Sequence, residues 1–211
     1  NTTGAENVAV GGFALDANTS ASNNTAVGTS CMGANTTGDN NVAVGASALA
    51  ANTTASENTA IGRFAMQDNT TGTRNVAVGA IALDANTTAS DNTACGYQAL
   101  STNTTGIDNA AFGSGALVLN TGSNNTACGS AALDACTTGG SNTAVGREAL
   151  GVLTTGTENT AVGLNAGISL TTGSNNLLLG LAAGHSSSPS GNITTGSNNV
   201  VLGDNNIKDL F

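Results

Sequence analysis

Every 17 residues the chain returns to a pentapeptide of the form Asn-x-(Ala/Leu/Val)-x-Gly. It begins at Asn7 and recurs in equal steps at Asn24, Asn41, Asn58, Asn75, Asn92 and Asn109. A step of 16 reaches Asn125, steps of 17 give Asn142, Asn159 and Asn176, and a step of 23 ends at Asn199. Twelve copies cover nearly all of the 211 residues, so the repeat is the domain. The whole unit is close to N-(T/V)-A-V-G-x-x-A-L-x-x-N-T-T-(G/A)-x-x. A helical repeat of this length would need two helices, apolar Leu faces and few glycines. Here each unit carries a Gly, an Asn-Thr-Thr before Gly or Ala, and a short alternating stretch, which reads as short strands between turns.

One unit per turn of a solenoid satisfies these constraints. The backbone of each coil pairs with its neighbours at about 4.8 Å, and no thick core is needed. The expected fold is therefore all-β, a parallel β-solenoid or β-roll of about twelve 17-residue coils, some 55–60 Å long at that rise. Residues 1–180 read as the regular shaft, 181–198 as an expanded coil with a loop, and 199–211 as the last coil and a C-terminal cap. Aromatic residues are 2% of the chain and the 39% counted as hydrophobic is largely Ala, so any buried layer is thin. Charged residues are only 8%, and apolar residues return on schedule, which sets the chain apart from disordered polar sequence.

Stacking assigns roles to the repeated side chains. Asn18, Asn35, Asn52, Asn69, Asn86 and Asn103 share one register and are expected to form a polar ladder, amide upon amide. In "NVAVG" the strand alternation sends Val8 and Val10 one way and Ala9 the other. Larger apolar groups gain most from burial, so the Val register and the Leu register (Leu15, Leu49, Leu83, Leu100, Leu117, Leu133, Leu150) are expected to line the inside. Ala9, Ala26, Ala43, Ala60, Ala77 and Ala94 then face outward. Because that register never carries Lys or Glu, it is expected to pack against another chain. Early copies also alternate Val8, Thr25, Val42, Thr59, Val76 and Thr93, in step with Gly4, Ala21, Gly38, Ala55, Gly72 and Ala89, a double period of 34 residues.

Little in the chain promises chemistry. Cys95 and Cys128 take the place of Val in the pentapeptide, two coils apart and beyond disulfide reach; Cys31 stands in an Ala register and Cys136 in the Asn ladder register. Their spacing matches no metal motif. His185 and Pro189 fall in "GHSSSPSGN", a loop with the potential to contact a partner but with no nucleophile elbow near it. Acids recur before the pentapeptide at Glu6, Glu57, Asp91, Asp108 and Glu158, and Arg74 is placed to pair with Glu57 or Asp91. There is no Gly-Gly-x-Gly-x-Asp nonapeptide of a calcium roll. No cofactor, metal or catalytic residue is expected, and the chain is read as a non-enzyme. Ten Asn-x-Ser/Thr sequons occur, Asn18, Asn52 and Asn192 among them, most of them belonging to the ladder turns. The net charge of −9 disfavours nucleic acid and anionic membranes, and no apolar run approaches the ~20 residues of a membrane helix. The chain opens inside a repeat, at "NTTG", as expected of a segment or a processed product.

The motifs "NNTAVG", "DNTACGYQAL", "ENTAVG" and "SNNVVLG" resemble the head repeats of trimeric autotransporter adhesins. Nearer still, "NTACGYQALSTNTTG" (Asn92–Gly106) resembles the shaft unit of phage and marine viral tail fibres. The stretch from Gly173, "GSNNLLLGLAAGHSSSPSGNITTGSNNVVLGDNNIKDLF", is similar to the segment that precedes a self-cleaving intramolecular chaperone in those fibres. The resemblance implies left-handed rolls, a homotrimer, and a rigid spacer for host or surface attachment on a virion or extracellular surface. Its neighbours would be other fibre segments or a terminal receptor-binding element. The 17-residue period is longer than is usual in the adhesins. Leu178 and Val201 replace the repeated Ala near the end and are expected to widen the packing, with Leu210 and Phe211 covering the last coil. An ice-binding or carbohydrate-binding solenoid using a Thr ladder is the alternative. Its weakness is that adjacent threonines in an extended segment point to opposite faces.

Overall fold

A computed structural model describes residues 1–186, 188 and 191–204. The chain is all-β among these residues, a parallel β-solenoid with one three-residue strand in each coil. It divides into two compact units, Asn1–Asp108 and Asn109–Phe211, a division that the repeat pattern does not announce. In the first unit the strands are β1 (Val8–Val10), β2 (Thr25–Val27), β3 (Val42–Val44), β4 (Thr59–Ile61), β5 (Val76–Val78) and β6 (Thr93–Cys95). In the second they are β7 (Ala110–Phe112), β8 (Thr126–Cys128), β9 (Thr143–Val145), β10 (Thr160–Val162), β11 (Leu177–Leu179) and β12 (Val200–Leu202). Pairing is parallel and follows the sequence repeat, Ala43 on Ala60 and Ala60 on Ala77, with Leu178 on Val201 across the longer step.

Strands this short do not hold a coil by themselves. Backbone bonds between neighbouring coils recur around the whole turn: Thr36 N to Thr53 O at 2.9 Å, Val42 N to Asn58 O at 2.9 Å, Gly45 N to Val27 O at 2.8 Å and Met32 N to Ala48 O at 3.0 Å. Corners between these stations are made by left-handed residues. In the fourth coil Glu57, Phe64 and Met66 have φ of 63°, 62° and 48°. The Leu register holds this conformation at φ from 48° to 53° from Leu15 to Leu150, a geometry that costs roughly 1–2 kcal/mol per residue. That register carries Leu or Met in these coils and no β-branched residue, as a positive φ favours, although Ile81 takes φ 60° in the other corner register. Gly28 (φ 141°) shows why the pentapeptide ends in glycine, since a side-chain carbon there would stand 2.5 Å from Gly45 O of the next coil.

The inside of a coil is narrow, and its occupants reverse the orientation expected from hydrophobicity. Inward residues of the fourth coil are Asn52, Ala55, Asn58, Ala60, Ala65 and Met66, all buried in the single chain. Ala26, Ala43, Ala60, Ala77 and Ala94 have 0% exposure and so cannot be a face for another chain; Ala9 shares their register and is exposed only because it lies in the first coil. The outward residues are the Val register, with Val44 and Ile61 36% and 41% exposed. Volume, rather than transfer free energy, sets the direction. Between two Asn files and a Leu file there is room for a methyl group at the strand. Where the Leu register shrinks to Gly167 and Gly184, the strand position grows to Leu178, fully buried, with its methyl groups in the space those glycines leave. Leu178 and Val201 are thus core residues of the second unit, and the expected cap, Leu210 and Phe211, lies outside the described residues.

Candidate functional surfaces

Two buried asparagine files run inside the first unit. The expected one uses Asn52 Nδ2 donating to Asn35 Oδ1 (2.9 Å), Asn69 Nδ2 to Asn52 Oδ1 (3.2 Å) and Asn86 Nδ2 to Asn69 Oδ1 (2.8 Å). Each amide also clamps its own turn, as Asn52 Nδ2 does on Ala55 O at 3.0 Å. Asn18 and Asn103 hold their own turns in the same way, through Ala21 O and Gly106 O, but the side-chain run is broken at Asn18 Oδ1 and Asn86 Oδ1, which have no hydrogen-bond partner among the described residues.

The second file was missed, although its signal is plain: the residue that opens all twelve pentapeptides is Asn. Asn58 Oδ1 accepts from Asn75 N (2.9 Å) and Asn75 Nδ2 (3.3 Å), while Asn58 Nδ2 donates to Gly72 O (2.8 Å). The same pattern recurs in the second unit at Asn142 and Asn159. Such an asparagine meets three polar groups that are otherwise buried, which no apolar residue of equal size can do.

Threonine forms a third file at the surface. The first Thr of each pair spends its hydroxyl on the next coil: Thr36 Oγ1 donates to Thr53 O at 2.9 Å and Thr70 Oγ1 to Thr87 O at 3.0 Å. The second of the pair, Thr37, Thr54, Thr71, Thr88 and Thr105, is exposed.

Charges stand in short columns. The Arg74 guanidinium grips Asp91 with two bonds, Nε to Oδ1 at 2.7 Å and Nη2 to Oδ2 at 2.8 Å, settling which neighbour it takes, and this contact holds the Asp91 carboxyl below the usual range. Arg147 Nη1 meets Glu148 Oε1 at 2.9 Å. Partial burial pushes the carboxyls of Asp84 and Asp134 up. Among the described residues, no group of three or more His, Cys, Asp or Glu side chains comes together to hold a metal ion.

The cysteines are all free thiols. Cys31 and Cys136 are buried, and burial pushes both up to about 11. Cys95 and Cys128, expected inside with the valines, are exposed on the outward side of their strands. His185 is half-buried beside Ser186, whose Oγ lies 3.2 Å from its Nδ1; Pro189 lies outside the described residues. The second unit has an open polar groove of about 240 Å³ between Glu158, Asn175 and Asn198, in which Asn175 Nδ2 donates to Asn198 Oδ1 at 2.7 Å.

These features define a class, that of parallel β-solenoids whose inward side chains are committed to joining one coil to the next. Comparison with family models, with curated proteins and with solved structures finds no match. The likeness to fibre shafts and adhesin heads therefore rests on the quoted motifs alone.

Proposed function

We propose that the chain is a non-enzymatic shaft segment of a fibre, of the tail-fibre or adhesin kind, working as a stiff spacer in host or surface attachment. The observation that carries this reading is the direction of the bonding. Within each unit the backbone stations, the files of Asn58 and Asn142 and the Thr hydroxyls all join one coil to the next, so bending a unit strains many bonds at once. Identical chains assembled side by side, three in the arrangement the resemblance implies, would stiffen it further. Placement on a virion or at an extracellular surface, beside other fibre segments or a receptor-binding tip, belongs to the same proposal.

Cryo-electron microscopy of the purified protein tests the reading. Elongated particles with an axial repeat of about 4.8 Å support it, and compact particles without that repeat overturn it.

The exposed file from Thr37 to Thr105 favours a second reading, a solenoid that orders ice or carbohydrate. It offers one free hydroxyl rank, because the neighbouring threonines are tied to carbonyl groups. Thermal hysteresis of the purified chain would establish ice binding and displace the spacer reading; its absence removes the ice-binding option.

A further inference from the structure

The outward side of the strands carries an apolar file that the single chain leaves uncovered. In the unit Asn1–Asp108, Val42, Val44, Ile61 and Val76 are 36–41% exposed, and exposed Cys95 continues the file on β6. No strand residue of this unit is charged, although the chain as a whole carries −9. Charges begin at the margins: exposed Glu57 stands two residues before β4 and exposed Arg63 two residues after it, at opposite ends of one coil level. Arg63 has no ion pair among the described residues; its guanidinium lies 4.5 Å over the ring of Phe64.

We propose that this file is the surface on which the chain meets further copies of itself, with coil axes parallel and equal levels side by side. The inference rests on the shaft reading and names the face that reading requires. Three observations select a second copy as the occupant. Apolar groups that recur once per coil fit a partner whose own groups recur at the same rise, and a second copy has that rise by construction. Two acidic chains repel each other, and the uncharged strand face is where they can approach. Finally, rotation about an axis parallel to the coils brings the leading margin of one copy against the trailing margin of the next, which sets Glu57 of one level beside Arg63 of the same level. An antiparallel pairing would set like margins together, the Glu57 side on the Glu57 side. In the parallel arrangement Cys95 of neighbouring copies stands at one height on facing surfaces.

Sedimentation of the wild-type chain and of the double variant Val44→Glu/Val76→Glu tests the face, with circular dichroism as the check on folding. Thr37→Glu/Thr71→Glu is the control on another side of the coil. A second arm treats a Cys128→Ser chain with a short bis-maleimide and looks for covalent dimers in denaturing gels. The expected result is a multimer for wild type and control, a single chain for Val44→Glu/Val76→Glu with its β-signal kept, and dimers through Cys95 that vanish in Cys95→Ser. A wild-type multimer that survives Val44→Glu/Val76→Glu and gives no Cys95 dimers overturns the face while leaving the assembled shaft standing. A wild type that stays single at all concentrations overturns both. Should Val44→Glu/Val76→Glu lose its β-signal, Cys95 cross-linking decides alone.

Discussion

Leu178 Cδ1 lies 2.7 Å from the place where a side-chain carbon on Gly167 would stand, and Leu150 Cδ2 lies 2.6 Å from that same place. The strand residue has grown into the volume that the leucine register of the preceding coil gave up. Leucine at 167 should therefore overfill this core, with a loss of about 1–3 kcal/mol. Alanine at 178 should empty it, with a loss of about 2–5 kcal/mol. The pair Gly167→Leu/Leu178→Ala restores one leucine-register side chain against a strand alanine, with Gly184 unchanged, and should recover part of either loss. Urea midpoints of the three variants check this. Losses that simply add would show that the two positions do not share a volume.

The residue three further on bears on the asparagine file too, and is Gly or Ala after Asn in the first unit but Gly after Leu. Where the second unit carries Leu153 or Leu170 in that register, the residue three further on is Gly156 or Gly173, and a side-chain carbon there would stand 2.7 Å from a leucine methyl. Asn52→Leu in the first unit should be destabilising because Ala55 crowds it, because Asn35 Oδ1 and Ala55 O lose a donor, and because Asn69 Nδ2 loses one of its two acceptors. Asn52→Leu/Ala55→Gly should recover the steric part, leaving the cost of the three bonds that Asn52 makes to Asn35 Oδ1, to the carbonyl of residue 55 and from Asn69 Nδ2, about 1–3 kcal/mol for each buried group left unpaired. Denaturation midpoints read the difference. Equal stability of the single and double variants would refute the steric link.

The repeat made the fold legible because a fixed period of Asn, Gly and Thr leaves few ways to stack, and Asn35 to Asn86 could be read as a ladder from spacing alone. Alternation at Val42, Ala43 and Val44 separates two sides of a strand but does not say which is inside. Transfer free energy pointed to Val, and the width of the coil chose Ala. The letters that reveal this width are Gly167, Leu178 and Gly184 taken together, a covariation within the repeat rather than a property of any one residue. The file through Asn58 is less legible, because an Asn just before a strand is equally at home as a turn residue whose side chain bonds its own backbone. The left-handed corners were legible only indirectly, in the absence of Val and Ile from the register of Leu49 and Met66.

The thiols should separate into two pairs. In the dissociated folded chain at neutral to mildly alkaline pH, maleimide should modify Cys95 and Cys128 quickly and leave Cys31 and Cys136 untouched until denaturant is added. The sign of the pH effect follows from burial. Cys31 and Cys136 keep their protons in the folded chain up to about 11, whereas the ordinary value is 9.0. Stability is thus fully present below about pH 9 and falls as pH rises through about 11. Cys31→Ala/Cys136→Ala should flatten that fall. Mass spectrometry of labelled chains and alkaline denaturation check the two halves, and rapid labelling of Cys31 in the folded chain would contradict the buried placement.

Asn58 offers the sharpest test of the second file, since its amide serves Asn75 N, Asn75 Nδ2 and Gly72 O at once, although Asn75 Nδ2 also reaches Ala89 O and Gly72 O also accepts from Asn69 Nδ2. Asn58→Leu takes the acceptor from Asn75 N and leaves Asn75 Nδ2 and Gly72 O with one partner each, and should cost about 1–3 kcal/mol at any pH. Asn58→Asp keeps the acceptor but turns the donor toward Gly72 O into a buried carboxylate oxygen, which must bind a proton to restore the bond. Its pKa should rise in the folded chain, so the folded state binds more protons than the unfolded state above the ordinary carboxylate range. The variant should therefore be most stable in acid and lose stability as pH rises toward neutrality, a trend Asn58→Leu should lack. Urea denaturation of both variants at several pH values reads the difference, and parallel curves would show that position 58 does not donate to a buried carbonyl group.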